Sequence, residues 1–111
     1  IEDLARKGDV VIVGRAGQVI LQDHPHGFHL RIIAPLETRI QRIVAAHGVA
    51  REGAEAQIED SDRYRADYLD RFYHINWDDP AHYHMIINTG LMDLETATEI
   101  VYAAVRMIPR R

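Results

Sequence analysis

The fold is decided by residues 29–42, HLRIIAPLETRIQR, in which a strand pattern passes directly into a helical one. The first part, His29–Ala34, is dominated by apolar and β-branched residues and predicts a buried strand. Pro35 then opens a helix that runs to His47, and Gly48 follows its last turn as a C-cap. A strand that leads into an amphipathic helix is typical of α/β proteins.

Two further strands and two further helices are predicted on either side of this stretch. Val10–Gly14 and His84–Asn88 are short apolar runs bounded by turn residues, the pattern of strands in a parallel sheet. A long helical region extends over about residues 51–73, where Gly53 weakens the beginning and a break near Ser61 is the open alternative. A last helix begins after Asp93 as its N-cap and stops at Pro109. Strands that alternate with helices predict an α/β fold with a parallel sheet between helical layers.

The helices carry apolar side chains at intervals of three and four residues, which predicts one buried face on each. The predicted buried side chains are Leu36, Ile40, Ile43 and Val44 in the first long helix, and Leu94, Ala97, Ile100, Val101, Ala104, Val105 and Ile108 in the last.

Composition limits the classes of partner. The chain has 111 residues, a net charge of −4 and no cysteine. This length fits one domain, and the acidic balance argues against a nucleic-acid backbone as the main partner. The absence of cysteine excludes disulfides and thiolate metal sites, and no apolar stretch approaches the roughly 20 residues of a membrane span. We therefore expect a cytoplasmic domain that binds a small charged metabolite, with its oligomeric state left open.

Arginines follow the predicted strands, at the edge where parallel sheets bind ligands. Arg15 stands between glycines in Gly14-Arg15-Ala16-Gly17, and Arg39 and Arg42 are neighbours on one face of the helix after the second strand. Of thirteen basic residues only Lys7 is lysine, which favours bidentate recognition of carboxylate or phosphate. Each arginine is a candidate phosphate ligand, and a solvated surface position is the open alternative.

Asp62 and Arg65 are predicted to lie on the inward face of the long helix. At about 100° per residue they share an arc of roughly 80° with Ile58, Leu69 and Phe72. A charge on a buried face must be paired or must meet a ligand, because desolvation otherwise costs several kcal/mol. The two side chains therefore form either a structural ion pair or part of a binding site.

Seven histidines raise the question of a metal site. No His-x-x-x-His pair exists, and the first group spans a turn, so capping or solvated histidines are favoured and no metal ligand is assigned. In Trp77–Pro80 two carboxylates follow an indole; they could meet a cation, but Asp-Pro beside an aromatic residue is also ordinary loop chemistry. The closely spaced histidines are His24, His26 and His29, followed later in the chain by His82 and His84.

Four motifs, taken in order, resemble the cytidylate kinase-like family of P-loop kinases. They are Val-Ile-Val-Gly-Arg at 11–15, Ala-Pro-Leu-Glu-x-Arg-x-x-Arg at 34–42, Asp-x-x-Arg at 62–65 and Ile-Ile-Asn-Thr at 86–89. The resemblance implies a three-layer P-loop kinase-type fold with a lid-like helical region at about 36–74. It also implies transfer of a phosphoryl group from ATP, with Mg²⁺, to a nucleoside monophosphate, most simply a pyrimidine one.

The resemblance assigns the acceptor side to three residues. Arg15 would contact the acceptor monophosphate, and Asp62 and Arg65 would contact the acceptor nucleotide or its phosphates. True cytidylate kinases usually carry an aspartate directly after the Gly-Arg turn, where this sequence has Ala16. The preference for cytosine is therefore left open.

The resemblance also assigns the catalytic and donor sides. Arg39, Arg42 and Arg65 would stabilise charge on the transferring phosphates, which is the main demand of phosphoryl transfer. Asn88 and Thr89 fall where the family usually reads Asp-Thr, on the donor-nucleotide side.

The sequence contains no G-x-x-x-x-G-K-[ST] loop to cradle ATP phosphates. Together with the opening Ile1, this leads us to expect that residues 1–111 are a single incomplete domain. The strand and loop that hold ATP would precede it, and the fragment alone would be inactive. The alternative from another class is a non-catalytic nucleotide-sensing or interaction domain on the same fold.

Overall fold

The computed structural model describes residues 11–13 and 17–108. Within these residues, no helix combines the length and the apolar character needed to cross a membrane. The elements, in chain order, are α1 (Gly17–Ile20), β1 (Leu30–Ile33), α2 (Leu36–His47), α3 (Arg51–Tyr73), a 3₁₀ turn (Pro80–His82), β2 (Met85–Asn88) and α4 (Leu94–Arg106).

The two strands form a parallel sheet, as the alternation of strands and helices along the sequence predicts. Leu30 lies opposite Met85 and Ile33 lies opposite Asn88, so both strands end at the same edge. The ladder continues one step further, because the N–H of Thr89 donates to the carbonyl of Ile33 at 2.8 Å. Residues that follow the two strands are thereby brought side by side.

The predicted first strand, Val10–Gly14, falls only partly within the described residues. Val11–Val13 are described and are not in a strand, so this part of the prediction is wrong. Val11 is 89% exposed and Val13 is 86% exposed. An apolar β-branched run becomes a strand only when another backbone lies alongside it, and the described part of the chain supplies none there.

Helices α2 and α3 pack against each other around a small apolar core. Ile40, Ala54 and Ile58 are almost fully buried, and the side chains of Ile43 and Val44 pack against them. The turn begins at Gly48, which has a φ of 64° and donates its N–H to the carbonyl of Val44 at 2.9 Å. The glycine C-cap and both helix spans predicted from the sequence are confirmed.

Helix α4 buries fewer of its apolar side chains than the sequence pattern predicts. Asp93 is the N-cap of α4 and accepts the N–H of Thr96, as expected. On the predicted apolar face, however, only Ala97 is buried; Leu94 remains 65% exposed and Val105 remains 47% exposed. Strands lie about 4.8 Å apart, so a sheet of two strands is too narrow to cover a helix of this length.

Two side chains of α2 and α3 that the sequence pattern predicts to be buried are exposed. Leu36 is 57% exposed at the first turn of α2, and Phe72 is 64% exposed in the last turn of α3. Both lie at helix ends, beyond the crossing where Ile40 and Ile58 meet. Periodicity identifies the face of a helix, whereas burial depends on where the neighbouring helix ends.

Gly90 lies where the turn after β2 meets the start of α2. A Cβ at this position would overlap Cδ of Pro35 and would lie 2.9 Å from its Cγ. The absence of a side chain is therefore required for the two carboxyl-end segments to approach each other.

We predict that Gly90→Ala lowers the free energy of unfolding by roughly 1–3 kcal/mol, because the Pro35 ring must move away. Gly53→Ala is the matched control. Its new Cβ would have only Val49 Cβ at 3.8 Å as a neighbour, and alanine favours the helix by about 0.5 kcal/mol. Urea denaturation of both variants measures the difference. Equal stability of the two variants would contradict the close packing at Gly90.

Histidines join the strands at the opposite, amino edge of the sheet. The N–H of His29 donates to Nδ1 of His84 at 2.9 Å, and the N–H of His84 donates to the carbonyl of His29 at 2.7 Å. The two rings stack with centroids 5.3 Å apart, and Nε2–H of His29 donates to the carbonyl of Leu21 at 3.1 Å. Burial, assisted by the neighbouring histidines His84 and His24, lowers the pKa of His29 below its ordinary value of 6.5.

We predict that this arrangement makes the protein less stable in mild acid. A lowered histidine pKa means that the unfolded chain binds more protons, so the contribution is complete above pH 6.5 and is lost as the pH falls towards the folded-state pKa. His29→Gln keeps an N–H for Leu21 but cannot titrate, and it should lose less stability between pH 7 and pH 5. Chemical denaturation across this range tests it; an unchanged pH slope in the variant would sink the assignment.

Candidate functional site

Arg42 binds the residue that follows β2. Its Nη1 donates to Oγ1 of Thr89 and its Nη2 donates to the carbonyl of Thr89, both at 2.9 Å. Thr89 is only 6% exposed, and its hydroxyl also lies 3.3 Å from the carbonyl of Ile33, to which it donates. Helix α2 is thereby fastened to the carboxyl edge of the sheet through a single buried threonine.

Asn88 shapes the same turn through its side chain. Its Oδ1 accepts the N–H of Gly90 at 2.9 Å, and its carbonyl accepts the N–H of Leu91 at 3.2 Å. An asparagine that mimics the backbone in this way stabilises a tight turn. Asn88 and Thr89, the two predicted donor-side residues, thus lie together at the carboxyl edge, where both make contacts that hold the turn.

Arg39 and Asp62 form a bidentate ion pair between α2 and α3. Nη1 and Nη2 of Arg39 donate to the two carboxylate oxygens of Asp62 at 2.9 and 2.8 Å. The side chains are 35% and 33% exposed, so water screens the pair only in part. The hydrogen bonds from Arg39 hold the pKa of Asp62 below its ordinary value of 3.8, with smaller contributions from the charges of Arg65 and Arg31.

Arg65 does not form the ion pair with Asp62 that the sequence left open. Asp62 is engaged by Arg39 instead, and the guanidinium carbon of Arg65 lies 4.9 Å from the centroid of the Trp77 ring. Arg65 is exposed, although Ile58 and Leu69 on the same side of α3 are buried. A long side chain leaves the helix surface and reaches water, so its position on the wheel does not fix its burial.

An open cleft of about 390 Å³ lies between α2 and α3. Its wall combines the two arginines of α2 with neutral side chains, so it suits an anionic group that accepts hydrogen bonds. The lining residues are Arg39, Arg42, Ile43, Gln57, Ile58 and Ser61.

The positions of Arg15, Arg39, Asp62 and Arg65 in the sequence predict that the four side chains converge on one cleft at the carboxyl edge of the sheet, and the structure shows this only in part. Arg39 and Asp62 are in direct contact, and Arg65 is near enough to influence the charge of Asp62. Arg15 lies outside the described residues. Arg42, one turn after Arg39, lines the same cleft.

Sequence reasoning missed a second cluster around Trp77. Nη2 of Arg31 donates to Oδ1 of Asp78 at 2.6 Å, and the guanidinium carbon of Arg31 lies 4.3 Å from the Trp77 ring centroid. Asp79 fits the loop interpretation, since it caps the 3₁₀ turn by accepting the N–H of Ala81. The available signal was Arg31 itself, a charge in the middle of an apolar strand.

The histidines do not assemble into a metal centre in the part of the chain that the structure describes. No group of three or more histidine, aspartate or glutamate side chains has the geometry to hold an ion there. A second open cavity of about 370 Å³ lies beside His29, His82 and His84, with Tyr83 in its wall. The Tyr83 hydroxyl donates to the carbonyl of Trp77 at 2.9 Å.

These features define an α/β protein whose arginines line a cleft beside the carboxyl edge of a parallel sheet. Comparison with known families then identifies the chain: it belongs to the cytidylate kinase-like family, whose model matches residues 1–91.

Two individual proteins are also similar. A curated uronate isomerase from Corynebacterium glutamicum is 32% identical over 91 residues, which is 82% of this chain and 18% of that enzyme. A crystal structure of a protein from Eubacterium ventriosum superposes with a TM-score of 0.86 at 27% identity and covers 95% of this chain and 59% of that one. The chain therefore spans less than two thirds of each relative, and less than a fifth of the isomerase.

We predict that Asp62→Asn lowers the free energy of unfolding by about 1 kcal/mol at neutral pH. Because the pKa of Asp62 is depressed in the folded state, this contribution is complete above its ordinary value of 3.8 and is lost as the pH falls through the folded-state pKa. The stability difference between wild type and variant should therefore be constant from pH 7 to pH 5 and shrink below about pH 4.

Glu37→Gln is the matched control for Asp62→Asn. Glu37 accepts a similar two-pronged contact from Arg51, at 2.7 and 2.8 Å, but both side chains are more than half exposed. Its loss should cost less, since exposed pairs are screened by water. Denaturation of both variants at several pH values provides the measurement. A larger effect at Glu37 would show that the Arg39–Asp62 pair is no stronger than a surface contact.

Proposed function

We propose that this chain is part of a nucleoside-monophosphate kinase-like phosphotransferase, which moves a phosphoryl group from ATP to a nucleoside monophosphate, most simply a pyrimidine one. The observation that carries the proposal is the pair of arginines, Arg39 and Arg42, in one cleft beside the carboxyl edge of the sheet. Membership of the cytidylate kinase-like family supports it, and the P-loop kinase-type three-layer fold is part of the proposal.

In this proposal Arg39 and Arg42 of α2 stabilise the negative charge on the phosphates that donate and accept the phosphoryl group. Charge spreads over the phosphoryl oxygens in the transition state, and guanidinium groups held in the cleft oppose it. Arg65 and Asp62 serve the acceptor nucleotide, and Arg15 is the proposed ligand of its phosphate. The transfer needs positioning and charge stabilisation and no covalent enzyme intermediate.

Apart from the arginines proposed to face the transferring group, no residue of this chain is assigned to the phosphates of ATP, and none is assigned to magnesium. The sequence has no G-x-x-x-x-G-K-[ST] loop, and residues 11–13 and 17–108 hold no cluster of metal-binding side chains. The described residues therefore do not form a magnesium site. Asn88 and Thr89 are proposed only to border the donor nucleotide.

One observation favours the non-catalytic alternative, a nucleotide-sensing domain. The arginines of α2 are already satisfied within the chain, Arg39 by both oxygens of Asp62 and Arg42 by two atoms of Thr89. Saturated side chains of this kind are typical of a structural network. A sensing domain would bind a monophosphate but would not consume ATP.

The test is ADP release by the whole protein that contains this chain, assayed with a panel of nucleoside monophosphates. We expect turnover with a pyrimidine acceptor and a loss of kcat of roughly tenfold or more in Arg39→Lys, because a point charge cannot replace the planar fork. Binding of monophosphates without turnover would support the sensing domain and overturn the kinase proposal.

Arg51→Lys is the matched control in this assay. Arg51 also ties α3 to α2 through a two-pronged contact, with Glu37, but it does not line the cleft. Its replacement should leave kcat within about twofold of wild type. Equal losses of kcat in Arg39→Lys and Arg51→Lys would mean that both bidentate contacts act only by holding the helices together.

A further inference from the structure

Trp77 lies between the sheet and α3 and contacts arginines from both. The guanidinium carbons of Arg31, on β1, and Arg65, on α3, lie 4.3 and 4.9 Å from its ring centroid. Both distances are within the range of a cation–π interaction, and tryptophan is the strongest aromatic partner for one. A single indole therefore attracts two positive charges that would otherwise repel each other.

The indole is anchored on the Arg31 side. Arg31 is 17% exposed and forms an ion pair with Asp78, the residue after Trp77. The hydroxyl of Tyr83 donates to the carbonyl of Trp77 at 2.9 Å. Backbone and ring are thus held by buried or half-buried neighbours, so Trp77 presents a fixed surface to Arg65.

Arg65 differs from the other arginines of the site. Arg65 is exposed. Among the described residues, its guanidinium contacts Trp77 and forms no hydrogen bond or ion pair. Arg39 and Arg42, by contrast, each use two N–H donors within the chain, to Asp62 and to Thr89 respectively. The N–H groups of Arg65 are therefore available to a ligand while its guanidinium carbon lies over the indole.

We propose that Trp77 is a positioning residue that holds the guanidinium of Arg65 ready to bind the phosphate of the acceptor nucleotide. The inference rests on the proposed function, because it takes the acceptor role of Arg65 from it. An arginine side chain normally loses rotamer freedom when it binds, and stacking in advance on a fixed ring reduces that loss. Trp77 would therefore act on affinity for the acceptor and leave the transfer step itself unchanged.

The experiment measures cytidine monophosphate binding to the whole protein by calorimetry, with wild type, Trp77→Leu, Arg65→Ala and the double variant. We expect Trp77→Leu to weaken binding roughly three- to tenfold and to have no further effect once Arg65 is alanine. In turnover assays the same variant should raise KM for the acceptor and leave kcat close to wild type. Additive effects of the two substitutions would overturn the inference.

Two further variants separate positioning from folding. Trp77→Phe keeps a smaller aromatic ring, so it should restore most of the affinity; equal losses with Phe and Leu would show that the ring face is not what matters. Tyr102→Leu removes another arginine–aromatic contact, that with Arg106 at 5.4 Å on α4, and should leave binding unchanged. A loss of affinity in Tyr102→Leu would mean that general destabilisation explains the results.

The outcomes also separate this inference from the kinase proposal. If cytidine monophosphate binds with the expected dependence between Trp77 and Arg65 but no acceptor is phosphorylated, the positioning role stands and the kinase proposal fails. If phosphorylation is normal and Trp77→Leu binds as wild type does, the positioning role fails and the kinase proposal stands. Absence of any monophosphate binding would overturn both.

Discussion

The buried junction at Thr89 is the interaction on which the rest of the described structure depends. Its N–H and hydroxyl donate to the carbonyl of Ile33, and its hydroxyl and carbonyl accept from Arg42. At 6% exposure, none of these polar atoms could find water if a partner were lost, and an unsatisfied buried group costs about 1–3 kcal/mol. The junction therefore fixes the ends of both strands and the rotation of α2, which in turn sets the position of Arg39 one turn earlier.

Two bidentate arginine–carboxylate pairs connect α2 and α3, and they differ in their exposure to water. Arg39 and Asp62 meet at a half-buried position beside the cleft, whereas Arg51, the first residue of α3, and Glu37, in the first turn of α2, meet at an exposed position. The small core around Ile40 lies between helices that the two forks connect. Water screens the exposed Arg51–Glu37 pair more than the half-buried Arg39–Asp62 pair. The Arg39–Asp62 pair therefore contributes more to holding the helices together. The site and the stability of the hairpin thus share the same side chains.

Sequence patterns predicted the parts of the fold that are decided locally. The spans of α2 and α3 and the cap at Asp93 depend on signals within a few residues, and all three are confirmed. The partner of Asp62 was not predictable in this way. Arg39 is 23 residues distant in sequence and reaches Asp62 only because α2 packs on α3. The same holds for Trp77, whose arginine neighbours come from a strand and a helix far apart in the chain. Patterns identify which residues can pair, whereas packing decides which do.

The saturation of Arg39 bears on how an anion would enter the cleft. A phosphate that bound the Arg39 fork would have to displace the carboxylate of Asp62, and an uncompensated charge at a half-buried position is costly. Asp62 is not isolated, however, because Arg65 and Arg31 already lower its pKa through their charges. Arg65 lies three residues further along the same face of α3, within reach of a shifted carboxylate. Arg65 would therefore offer Asp62 a second partner, which would lower the cost of releasing Arg39 for a ligand.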